Sequence, residues 1–202
     1  HLASTRLTTK QQARAHMARG AALNLLGRPK DAVTDMAAAE RLNPQDVDIL
    51  SEYAEVLWGS GDFQGALKKI DTARALGQAS SAVEMDLLNR QGMNLFSLRR
   101  FKEAMPAFLE VAKNGTGEQK WFSLAWHNLA SRIDGQAPLD PAEQFGLRAD
   151  DQGFSHQVVR YLSGKLSESE LLERAKSDDR SVAISRKCEA DFFIAMQALI
   201  DG

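Results

Sequence analysis

The residues of this sequence that could do chemistry are few and widely spread. Four histidines, His1, His16, His127 and His156, lie far apart, and none has the i, i+4 partner or adjacent carboxylate that a helical metal site needs. They are assigned to surface or interhelix roles. Cys188 is the only cysteine, which excludes an intrachain disulfide framework and any multi-cysteine metal site. Its neighbours at helical spacing are apolar, so it reads as an inert small hydrophobe on the apolar face of a helix. No G-x-S-x-G, P-loop or dinucleotide fingerprint occurs, and nucleophilic catalysis has no residues to carry it. The acidic clusters at Asp178-Asp179 and Ser167 to Glu173 read as helix starts, where negative charge complements the helix dipole. Arg99, Arg100 and Lys102 read as a solvated basic turn. The expectation is a non-enzyme with no catalytic residue, no cofactor and no metal.

Composition narrows the class further. The chain has 202 residues, 44% hydrophobic and 26% charged, close to an ordinary globular domain and long enough for a sizeable core. A formal net charge of −2 gives no basic field, which argues against nucleic acid as a partner. No run of about 18 apolar residues exists, so no membrane-spanning segment is expected. The opening HLASTRLTTK lacks the apolar centre of a signal peptide; a processed chain reads the same.

With so little chemistry, the elements themselves become the signal. Gly20, Gly27 and Ala32 are followed 34 residues later by Ala54, Gly61 and Ala66, and Gly92 and Ala104 continue the series at 38. Small residues at fixed offsets mark places where two helices cross closely or the chain turns. Leu23, Met36 and Ala39 fill the space between the helices, and Pro44 suits the first position of the next one. Thr9 to Gln12 has capping-box spacing, Asp62 reads as an N-cap and Gly77 as a helix stop. The longer offset places about four extra residues in the loop at Gln78 to Ser81. A fourth copy opens with Trp121, Leu124 and Ala125, and Asp140-Pro141-Ala142-Glu143 starts a further helix whose pattern has degraded. Ile184, Cys188, Phe192, Ala195, Met196 and Leu199 share one face of a final amphipathic helix.

This pattern resembles the tetratricopeptide repeat. The resemblance implies an all-α fold, a right-handed superhelix of helix-turn-helix units ending in divergent C-terminal helices. The expected organisation is one α-solenoid domain over residues 1–202, with repeats at 10–44, 45–78, 81–115 and, divergent, 117–149. Residues 152–202 form capping helices that include a half repeat. In this family the first helix of each repeat lines a peptide-binding groove. Carried over by register, that face holds Met17, Ala21 and Asn24, then Ser51, Glu55 and Trp58, then Asn89, Met93 and Phe96, then Phe122, Trp126 and Leu129. Trp58 and Trp126 lead the candidates, and Trp121, at the consensus position, is assigned to the core. The alternative, in which these rings pack on neighbouring helices, stays open.

A narrower resemblance covers roughly residues 121–202. The run VVRYLSGKLSESELLERA followed by CEADFFIAMQALIDG is similar to the end of the bacterial adaptor family called new lipoprotein I, through Tyr161, Leu162, Gly164, Ser167, Leu171, Leu172, Glu173, Arg174, Glu189 and Phe192. Ser163 interrupts the Y-L-G motif, Ile194-Ala195 replaces Leu-Gly, and the lipid-bearing cysteine is not in this chain. The resemblance implies a periplasmic or outer-membrane-attached setting.

The function expected from the sequence is a protein-protein interaction adaptor that holds an apolar or amphipathic protein or peptide segment in its groove. The alternative is a self-assembling homo-oligomer. It would use the face of the half repeat around Phe193 and Ile200.

Overall fold

A computed structural model describes residues 7–140, Phe145 and residues 153–202. Among them every regular element is an α-helix: α1 Thr9–Leu25, α2 Pro29–Leu42, α3 Val47–Ser60, α4 Phe63–Ala75, α5 Ser81–Ser97, α6 Phe101–Asn114, α7 Gly117–Ile133, α8 Phe154–Leu162, α9 Glu168–Arg174 and α10 Arg180–Asp201. The fold class expected from the sequence is the one observed, helices packed in sequence-adjacent pairs. The helix start expected at Pro141 to Glu143 lies outside the described residues.

Helix boundaries follow from local chemistry. Thr8, one residue before the expected position, closes a capping box: its hydroxyl accepts from Gln11 N, and Gln11 Oε1 accepts from Thr8 N at 2.8 Å. Asp46 caps α3, so Pro44 lies in the α2–α3 turn rather than at the first helical position. Asp62 accepts from Gly65 N at 2.8 Å, as its type and position predict. Gly27, Gly61 and Gly77 take positive φ values of 72°, 88° and 61° at the ends of α1, α3 and α4. Arg99 stands at the same place after α5 with φ 60°, where a β-carbon costs about 1 kcal/mol.

The described chain divides into two compact units, His1–Leu98 and Arg99–Gly202. In the first, α1 to α5 enclose Ala32, Met36, Leu50, Tyr53, Ala54, Val56, Leu57, Ala66, Ile70 and Leu87. Spacing at the crossings is tight: a β-carbon on Gly20 would lie 3.1 Å from Met36 Cε and 3.3 Å from Ala32 O. In the second unit α7 is buried almost all round, from Ser123 to Ser131, with α6 and α8 among the helices packed on it. Phe108, Val111, Leu124, Leu129, Leu162, Leu171 and Phe193 are fully buried there.

The last helix packs differently from its sequence pattern. Ala190, Phe193 and Gln197 turn inward. Most of the stripe expected to be the packing face is outside, with Ile184 55% and Leu199 78% exposed and Cys188 exposed, while Phe192, 40% exposed, rests one side of its ring on Trp126. Helix α10 carries apolar residues on two faces, and the described chain covers one. Periodicity alone could not say which.

One buried charge in the first unit is held by residues nineteen and sixteen positions away. Asp35 on α2 is 4% exposed; it accepts from Arg19 Nε at 2.6 Å, pairs again with Arg19 Nη2, and lies 3.0 Å from His16 Nδ1. The Arg19 guanidinium holds its carboxyl down at about 2. A carboxylate whose folded pKa lies below its unfolded value of 3.8 adds stability above that value and loses it as pH falls toward 2. Because Arg19 is largely exposed, solvent screening reduces this to on the order of 1 kcal/mol. Acid titration of stability should therefore show a loss between about pH 4 and pH 2 that Asp35→Asn removes. Urea midpoints measured across that window test it, and identical acid limbs for the two proteins would refute it.

Candidate interaction groove

The first helices α1, α3 and α5 of unit 1 lie side by side, and polar contacts between them fix one shared face. Arg14 on α1 is 3.6 Å from Asp48 on α3. From α5, Arg90 pairs with Glu55 on α3 and, at 2.7 Å, with Asp86 one turn earlier on its own helix. Ser51 Oγ donates to Asp86 at 3.5 Å, and Trp58 Nε1 donates to Ser97 Oγ at 3.4 Å. Arg14 and Asp48 stand at equal repeat offsets, and the other links tie neighbouring offsets of α3 and α5 together. By repeat register Arg14, Asp48 and Asp86 form one rung, Ala18, Glu52 and Arg90 the next, then Ala21, Glu55 and Met93, then Leu25, Gly59 and Ser97. The rungs line a face of three helices. At the last one a β-carbon on Gly59 would fall 2.9 Å from Asn24 Oδ1, so glycine permits the close approach of α1 and α3.

The structure distributes the sequence-predicted groove residues unevenly. Met17, Asn24, Glu55, Trp58, Asn89, Met93 and Phe96 are half-buried. Met17, Ala21 and Trp58 pack their inner sides on the unit 1 core, which leaves part of each surface outward. Ser51 is buried and acts through its bond to Asp86. The charged members of the rungs, Arg14, Asp48, Glu52, Asp86 and Arg90, were absent from the predicted set. Their signal was available, because they recur at the same offsets of 34 and 38 that define the repeat.

In unit 2 the aromatic candidates turn inward. Trp126 is 8% exposed, with ring centroids of Phe108, Phe122, Phe192 and Phe193 at 6.3, 6.0, 5.3 and 5.6 Å. Phe122 keeps part of its surface outward. Phe193, expected on a self-association face, is 1% exposed, and Ile200 is half-buried. Leu129 is fully buried, and Trp121 is buried against the His156 ring at 5.4 Å.

Polar groups in unit 2 serve to hold helices. Glu118 Oε2 accepts from Ser155 N at 3.3 Å at the start of α8, and Ser155 Oγ donates to Glu189 Oε1 on α10 at 2.8 Å. A β-carbon on Gly153 would land 2.0 Å from Glu118 Oε1, so a side chain there would require the Glu118 carboxylate to shift. Burial, with the nearby Glu118 charge, pushes the Glu189 carboxyl up; burial pushes the His127 ring down. No group of three or more metal-ligating side chains occurs among the described residues, and no described helix is long and apolar enough to cross a membrane.

Comparison with known proteins bears on the fold. No protein-family model matches the sequence. Among solved structures, the chain is similar to one titled "MamA RS-1 ArsTM double mutant", with a TM-score of 0.53 and 16% identity over 92% of this chain and 96% of that one. That neighbour is a tetratricopeptide-repeat protein. The fold is of the tetratricopeptide type.

The two tryptophans should separate in a stability measurement. Trp126→Ala is expected to cost about 3–5 kcal/mol, as for truncation of a large buried ring, and Trp58→Ala about 1–2 kcal/mol, because its ring is only partly removed from water. Urea unfolding followed by circular dichroism gives both values; equal losses would contradict the assignment of Trp126 to the core.

Proposed function

We propose that the chain is a non-enzymatic adaptor whose α1, α3 and α5 face holds a segment of a partner protein. The observation that carries this reading is the rung pattern. Three parallel first helices present half-buried Met17, Trp58, Met93 and Phe96 beside charged side chains, a mixture of apolar anchors and polar rim found in protein interfaces. The fold supports it, since helix-pair repeats of this type are interaction scaffolds in general. Trp126 takes no part, because its ring fills the core of unit 2.

A cell-envelope setting rests on the lipoprotein resemblance of residues 121–202 alone. Several residues that carry that resemblance have packing roles here: Leu162 and Leu171 are fully buried, and Ser167 with Glu170 forms a capping box. The adaptor reading is tested by capture of partners from cell extract with the wild-type chain beside Met93→Asp and Phe192→Glu variants, each first shown to be folded by circular dichroism. A partner lost with Met93→Asp and kept with Phe192→Glu is expected. Retention of every partner by Met93→Asp would sink the groove reading.

A second reading, self-association, is favoured by the outward stripe of Ile184, Cys188, Phe192 and Leu199 on α10. It replaces Phe193, which is used inside the unit. Lys187 and Asp191, 2.7 Å apart beside the stripe, carry opposite charges that two antiparallel copies of the helix could exchange. Light scattering at rising concentration should show a growing mass that Phe192→Glu abolishes; a constant monomer mass would end this reading.

A further inference from the structure

The charges on the groove face are unbalanced, and the imbalance defines a partner. Asp48, Glu52, Glu55 and Asp86 supply four carboxylates along the rungs, and Arg14 and Arg90 supply two guanidiniums. Both guanidiniums are already engaged, Arg14 by Asp48 and Arg90 by Glu55 and Asp86. Glu52, on the middle rung between Ala18 and Arg90, is half-buried and makes no hydrogen bond or ion pair among the described residues. Its charge reaches Arg90 only at longer range. The rungs therefore carry two more carboxylates than guanidiniums, on exposed Asp48 and half-buried Glu52, Glu55 and Asp86, next to apolar surface from Ala18, Ala21 and Met93.

We propose that this groove takes a basic amphipathic segment, one whose Lys or Arg side chains meet Glu52 and the outer oxygens of Asp48, Glu55 and Asp86 while its apolar residues cover Ala21 and Met93. The inference rests on the groove reading above and goes beyond it by fixing the sign of the partner's charge. An acidic segment would place like charges against Glu52, where the nearest guanidinium, Arg90, is already paired with Glu55 and Asp86, and such juxtaposition is strongly unfavourable. A purely apolar segment would leave Glu52 desolvated and unpaired. A cationic side chain resolves both. The pairing is electrostatic at a partly exposed surface, so it weakens as salt shortens the screening length to about 8 Å or less.

The probes are three synthetic peptides with leucines at identical helical positions and lysine, glutamine or glutamate at all others. Binding to the whole chain is measured by fluorescence anisotropy at low and at physiological salt. The lysine peptide is expected to bind roughly tenfold tighter than the glutamate peptide at low salt, the ratio shrinking as salt rises. Glu52→Arg, which breaks no hydrogen bond or ion pair and whose folding is checked by circular dichroism because it brings a second guanidinium toward Arg90, should cut the lysine peptide's affinity several-fold and leave the glutamine peptide unchanged. Glutamate and lysine peptides of equal affinity, or a lysine preference untouched by Glu52→Arg, would overturn the charge assignment. If all three bind equally and Met93→Asp releases them, the groove survives and its charge preference does not. If none binds, or Met93→Asp has no effect on any, the groove reading fails as well.

Discussion

Everything in unit 1 depends on how closely its helices can approach. Gly20 meets Met36 and the Ala32 carbonyl at distances that leave no room for a methyl group without movement, and Ala54 and Ala66 are both fully buried. A larger side chain at such a crossing would separate the helices and open voids that the surrounding residues could fill only in part. Close approach also fixes rotation. Once the small residues of α1, α3 and α5 face their partner helices, the residues one and four positions along each helix, Ala21, Glu55 and Met93 with Asn24, Trp58 and Phe96, must line a common outer face. The groove is thus a geometric consequence of the core.

That dependence explains what could be read from the sequence. Small residues at repeated offsets report a backbone constraint, and the helix pairs, the turns at Gly27 and Gly61 and the cap at Asp62 followed from it. Residues whose roles depend on distant partners were harder. Asp35 looks like any helical carboxylate until Arg19 and His16 are brought against it. Trp126 occupies a groove register by its repeat position, yet the rings of Phe108, Phe192 and Phe193 close around it. The face of α10 was misjudged for a related reason. Its apolar residues occupy two faces, and which of them turns inward was decided by the fit of Phe193 to Trp126 and by the Glu189 bond to Ser155, neither visible as a period. The charged rung of Glu52 and Arg90 is legible only as a pair of positions 38 residues apart, because the side-chain type changes from helix to helix.

Electrostatics in this protein works at two depths. Asp35 and its two partners neutralise a charge that has been taken out of water, and the contribution is to stability. On the α1, α3 and α5 face, the carboxylates outnumber the guanidiniums and remain accessible to solvent, which contributes little to folding; in the proposed groove their role is to select what can approach. Unit 2 uses carboxylates in a third way: Glu118 holds the first turn of α8 beside Gly153, and Glu189 joins that turn to α10.

The lone thiol has a practical consequence. Cys188 lies on the outward stripe of α10, between Ile184 and Phe192, and no other cysteine competes with it for a reagent. A dye or spin label attached there would sit on the one surface of the last helix that the described chain leaves bare, on a different helix from any of the rungs of the groove. Its emission or mobility would report separately on whatever covers α10, while Trp58 remains free to report on the groove.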